Sequence, residues 1–206
     1  MSMIPEMIGS MAGILLVILL LNGIAILGAI ALYVLQSLGL YQIAQRRGIK
    51  HSWMSWVPVL NTWILGSLSD QYNYVVYRKF RSARKWLLGL DIGICVSYFV
   101  TFILGFVGMV GVLSQMGQAT TPQDLMNAAL GQPMYMAALV GCIVYWAVAI
   151  AGIVLNFVCL HNLYASCQPK NKTVYTVFSI LFPVTIPIFV FICRNKDLGM
   201  PPRREV

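Results

Sequence analysis

A single acid stands inside an apolar run of this chain: Asp91, with Tyr98 two helical turns further on. A carboxylate near a phenol in a low-dielectric setting can exchange a proton or hold a cation, and an ionisable group in such a run is by default a functional candidate. Asn61 is the third polar residue that could join them. Other chemistry is thinly represented. The chain has no HExxH, no GxSxG, no GxxxxGK[ST] and no paired-carboxylate arrangement, so the common hydrolytic, zinc and nucleotide sites lack their signatures. Cys159, His161, Cys167 and Cys193 would have to converge to hold a metal, yet Cys159 and His161 point about 200° apart on a helix. No metal or other cofactor is expected. His51, between Lys50 and Trp53 in the chain, reads as an interfacial polar residue rather than a catalyst.

The elements that must position these residues are those of a membrane protein. Of 206 residues, 59% are hydrophobic and 10% charged, and the mean hydropathy is +0.79. These values exclude an ordinary soluble domain and fit an all-α integral membrane protein with one polytopic domain over 1–206. Four apolar helical segments are expected, at about 11–40, 86–113, 135–160 and 174–193. Pro183 and Pro187 must kink the last one or break it into a re-entrant segment; four spans are the expectation. Along the first, Asn22, Ala25, Ala29, Leu32, Gln36 and Gly39 form a small or polar seam suited to packing on another helix. Five cysteines without a CxxC pair imply no disulfide framework.

Charge sets the orientation. The net charge is +8, and eight basic residues fall between Arg46 and Lys85, whereas 114–134 has none. Basic residues flanking apolar segments orient a protein in a bilayer and are poorly placed for nucleic acid, which is not an expected partner. The 41–85 connection therefore belongs in the cytoplasm, 114–134 is an outer loop, and the N-terminus is outside. A basic tail follows at 194–206. In the outer loop, Thr121 and Pro122 are placed to start a short helix as N-cap and first residue.

The 45–85 stretch is a basic hairpin. Arg46 and Arg47 close a helix and Gly48 suits its left-handed end. Trp53, Trp56, Leu60 and Trp63 recur at helical spacing, interrupted by Pro58, and the apolar run from Trp56 to Leu68 is too short to cross a core that needs about 20 residues. An interfacial Trp/Pro helical hairpin over 52–68 follows, with the three tryptophans at headgroup depth. Arg46, Arg47, Lys50, Trp53, Trp56, Asn61, Trp63, Arg84 and Lys85 are its candidate binding residues, for anionic lipid heads.

Arg47, Gly48, Trp53, Trp56, Pro58 and Asn61, with Cys193 to Pro202 near the end, resemble a loose group of uncharacterised bacterial multi-pass membrane proteins, a domain of unknown function. The resemblance implies a membrane address and a shared architecture, and transfers no activity or catalytic residue.

In the second segment Gly89, Gly93, Ser97, Thr101 and Gly105 make a ridge of small side chains along which another backbone, of a partner or a second copy, can approach closely. Asp91 points away from that ridge. Read structurally, it is ionised and held by Arg84 or a hairpin cation, locking the hairpin to the second segment; read functionally, it faces a wet cavity with Tyr98. The expected function is a bacterial inner-membrane scaffold or accessory subunit without enzymatic activity, packing with membrane protein or lipid. The alternative is a small transporter, channel or intramembrane enzyme using Asp91 with Tyr98 or Asn61.

Overall fold

A computed structural model describes residues 3–79, 82–115 and 121–196, with side chains from residue 16 onward apart from 122, 125 and 128. Arg81, residues 116–120 of the expected outer loop and the expected basic tail from 197 lie outside the described residues. The order is α1 (Met3–Arg46), a 3-10 helix (Ser52–Trp56), α2 (Pro58–Tyr77), α3 (Ala83–Gln115), α4 (Pro122–Gly131), α5 (Pro133–Cys167), α6 (Lys172–Leu181) and α7 (Thr185–Cys193). Among the described residues there is no strand.

Three helices, α1 from Leu16, α3 and α5, are long and apolar enough to cross a membrane. The expected fourth span is instead two short helices. Pro183 cannot supply the N–H that would continue α6, and the Thr185 hydroxyl donates to Phe182 O at 2.8 Å across the turn. The Tyr175 ring stacks on Phe189 with centroids 4.5 Å apart. These residues lie equally far on either side of Phe182, so α6 and α7 run antiparallel. Arg46 donates a hydrogen bond to Arg194 O, which brings the end of α7 back beside the end of α1. Residues 174–193 return to the side from which they start.

The Trp/Pro segment also differs from expectation. Gly48 turns the chain with φ 66, and the Ile49 N–H returns to Ala44 O at 3.0 Å. The 3-10 helix then climbs back along α1 until Tyr33 donates to Trp56 O at 2.7 Å, about 20 Å from Arg46 at 1.5 Å per residue. Pro58 starts α2 at its first position, where a missing N–H is harmless. From there α2 runs to Tyr77, through residues expected to be loop, and buries Asn61, Ile64, Leu65, Leu68, Tyr72 and Val76. Its polar residues are small enough to be buried with it: Ser69 Oγ accepts from Asn162 Nδ2 at 2.8 Å.

One end of the molecule is packed. Leu40, Ile43, Ile64, Leu68, Leu87, Leu160, Leu163, Tyr164 and Val190 form its core. Away from it, α1 is exposed at every residue from 16 to 31, so the expected seam has no partner among the described residues at Asn22, Ala25 and Ala29, where the Asn22 amide bonds back to Ile18 O, while its Gly39 end packs on Val190 of α7. Helices α3 and α5 stay paired and antiparallel. A Cβ on Gly93 would meet Val148 at 3.6 Å, one on Gly141 would meet Thr101 Oγ1 at 2.7 Å, and one on Gly108 would meet the Tyr135 N at 2.7 Å. The small-residue ridge is therefore used inside the chain from Gly93 through Gly105, while Gly89 faces open space. At the far end Thr121 caps α4 in a reciprocal capping box with Asp124, behind Pro122.

Candidate functional site

The basic residues converge on the packed end, and three of them share a pocket. Ile49, Lys50, His51, Trp63, Ser67, Gln71 and Arg84 line a cavity of about 340 Å³ between the α1 turn, α2 and the start of α3. It has no acid in its wall. Arg84 lies over the Trp63 ring at 5.5 Å, which holds the guanidinium against an aromatic face. Its Nε is 4.0 Å from Asp70 Oδ2. Gln71 donates its amide to Arg47 O at 3.1 Å, leaving Oε1 buried without a partner among the described residues. His51 sits in the wall with φ 63, a left-handed conformation that costs a side-chain-bearing residue about 1–3 kcal/mol and marks functional and switch positions more often than others.

Asp70 fixes the pocket's far wall. Its carboxylate accepts the Ala83 N–H at 2.8 Å and the Arg84 N–H at 3.3 Å, so a residue of α2 caps the exposed donors at the start of α3. Burial pushes this carboxyl above its ordinary value, opposed by the two N–H donors and the Arg84 charge. Arg84 is thus engaged by Asp70, and Asp91 has no ion pair among the described residues. The lock expected between Asp91 and Arg84 is made one helix earlier.

The remaining candidates divide. Lys50, Trp63 and Arg84 are together in the pocket. Arg47 is structural, donating to Ser166 Oγ at 2.8 Å, and Arg46 ties α1 to α7. Trp53 and Trp56 are exposed on the 3-10 helix, whereas Trp63 is half-buried on α2; the break at Val57 separates the three tryptophans that spacing had put on one face. Asn61 is buried at 5% exposure in the first turn of α2, Lys85 is exposed beside Arg84, and Tyr98 projects from α3 with its ring 6.2 Å from that of Tyr145. Asp91, Tyr98 and Asn61 line neither this pocket nor the two grooves described below. Among the described residues no three His, Cys, Asp or Glu side chains are placed to hold a metal; Cys159, Cys167 and Cys193 sit in the apolar core, and His161 pairs with Thr176.

His51, Ser67 and Gln71 were not foreseen as pocket residues. The signal for them lies in the fold, since α2 has to continue past Leu68 to bring Gln71 under the α1 turn. Cationic side chains, hydroxyl and amide groups around a small volume suit an anionic oxygen cluster such as a phosphate. Compared with family models, curated proteins and solved structures, the chain matches none.

Proposed function

We propose that this chain is a multi-pass protein of the bacterial inner membrane, with its packed end on the cytoplasmic side, acting as a non-enzymatic scaffold or accessory subunit that holds anionic lipid heads and packs with a membrane protein. The observation that carries this reading is segregation of charge. Every described Lys and Arg belongs to the packed end, at the ends of α1, α2 and α7, the start of α3 and the turn before α6. Helices α1, α3 and α5 leave that end with apolar, exposed sides. Basic groups near an anionic surface contribute about 1 kcal/mol each, and the Lys50–His51–Arg84 pocket offers one headgroup a defined seat. The exposed half of α1, with Gly23 and Gly28 open to close approach, is where a partner helix fits.

The test is lipid retention. Purified full-length protein exchanged into detergent with phosphatidylglycerol is expected to retain it in native mass spectrometry, with retention falling in Lys50→Glu and in the double variant with Arg84→Gln. Unchanged retention in both overturns the pocket's role. A photo-crosslinking residue at Gly23 in cells tests the partner: discrete protein adducts are expected, and adducts to lipid alone remove the scaffold reading.

A further inference from the structure

Two grooves run side by side on α5 where the packed end meets the exposed helices. The first, about 670 Å³, lies between α2, the start of α3 and α5, with Asn73, Ser82 and Trp86 in its wall. The second, about 510 Å³, lies between α5 and α6, with Phe157, His161 and Thr176 in its wall. Val154 and Val158 belong to both, so these two residues form a ridge with a groove on either side. At 100° per residue, the α5 side chains of one groove are centred roughly 90° around the helix from those of the other, and each set extends about 12 Å along the axis.

Both grooves have apolar walls; the first carries polar groups, Asn73 and Ser82, at its inner end, while the second is apolar throughout. Asn73 is 7% exposed, yet its side-chain amide makes no hydrogen bond to any described residue. The amide is not sealed inside the protein but opens onto the groove wall, where a ligand oxygen can reach it. At the end of the second groove, Thr176 Oγ1 gives its hydrogen to Lys172 O at 2.8 Å. His161 Nδ1, 3.0 Å from the same oxygen, must then be the donor to it, which leaves Nε2 as the ring's other polar atom. In the chain, Lys79 and Lys85 lie on either side of Ser82 of the first groove, and Lys172 starts α6. The nearby carboxylate, Asp70, is committed to the N–H groups of Ala83 and Arg84.

Two apolar grooves that share one ridge, the first with polar groups at its inner end and with Lys79 and Lys85 close to Ser82 in the chain, match a molecule with two hydrocarbon chains joined at an anionic head. We propose that this face holds one diacyl anionic phospholipid, with a chain on each side of Val154 and Val158 and a headgroup or glycerol oxygen on the Asn73 amide. The inference rests on the membrane reading above and is separate from the Lys50 pocket.

Native mass spectrometry of the full chain in detergent tests it with three probes: dioleoyl phosphatidylglycerol, its single-chain lyso form, and dioleoylglycerol, which has no phosphate. The two-chain anionic probe is expected to bind about tenfold tighter than either other, the ratio that 1.4 kcal/mol represents. Val158→Trp, which fills the grooves at the ridge, and Asn73→Leu, which replaces the unpaired amide by an apolar group of similar size, should each remove that advantage without lowering the melting temperature. Equal binding of the lyso form overturns the two-chain seat. Equal binding of dioleoylglycerol overturns the headgroup contact, and unchanged binding in both variants overturns the location. If Lys50→Glu abolishes retention while Asn73→Leu does not, the groove is wrong and the pocket stands; the reverse result sinks the pocket and keeps the groove.

Discussion

At the scale of single residues the decisive acid is Asp70. It lies in a helix that spacing alone did not extend that far, and it caps α3 from outside. Replacing it by Ala removes the acceptor for two N–H groups, so a loss of about 1 kcal/mol is expected, the usual value of a helix cap. Asp70→Asn keeps an acceptor oxygen and discards the buried charge. Because burial raises this carboxyl's pKa, folding disfavours its ionised form relative to the unfolded chain. Its contribution is then fully present below the unfolded value of about 4 and declines as pH rises through the folded pKa. The melting temperature of Asp70→Asn relative to wild type should therefore climb from pH 3.5 upward and level off once Asp70 is ionised; a flat or falling difference would contradict the burial account. Asp91 differs, having no ion pair among the described residues. Asp91→Asn should melt with the wild type in detergent, and a clear drop would show that Asp91 has a polar partner after all.

Between elements, close approach is set by glycine at a few named contacts. A Cβ on Gly66 would stand 2.5 Å from Arg84 Cα and 2.8 Å from Arg84 N, so α2 and α3 touch backbone to backbone beside the cap. Gly66→Ala must push them apart, at about 1–3 kcal/mol as for other overpacked sites. Gly89→Ala, with open space around it, should leave stability unchanged or slightly raised. Equal melting of the two variants would mean that α2 and α3 are not in this register. The same contact explains what the sequence made legible. The long helices α1, α3 and α5 show as apolar runs, and the ridge from Gly93 to Gly105 shows as a four-residue repeat whose partner turned out to be α5. The start of α2 and the break before Pro58 were legible in the tryptophan spacing, but its continuation past Leu68 was hidden because Ser69 and Asn73 look like loop residues until a neighbouring helix supplies Asn162 and the packing that buries them. Of the pocket, Lys50, Trp63 and Arg84 were legible as charge and aromatic signals. His51 and Gln71 were not, since a left-handed φ and a buried carbonyl are tertiary facts.

For the whole molecule, the returning path of α6 and α7 settles which ends lie together. A fourth span would have put Arg194 and Lys196 on the side opposite Arg46, against the distribution of every other described cation. The hairpin removes that conflict without altering the apolar composition of 174–193, because helices of ten and nine residues reach only about 15 Å each and cannot cross a core of about 30 Å. Single cysteines at Ser82, Asn195 and Gln123, all exposed, test this once the exposed Cys95 and Cys142 are changed to alanine. In intact cells an impermeant maleimide is expected to label position 123 alone, with 82 and 195 reacting only after lysis. Labelling of 195 from outside would restore the fourth span and break the α6–α7 hairpin. If 82 were labelled instead of 123, the hairpin would survive, and the packed end with its basic pocket and paired grooves would face away from the cytoplasm.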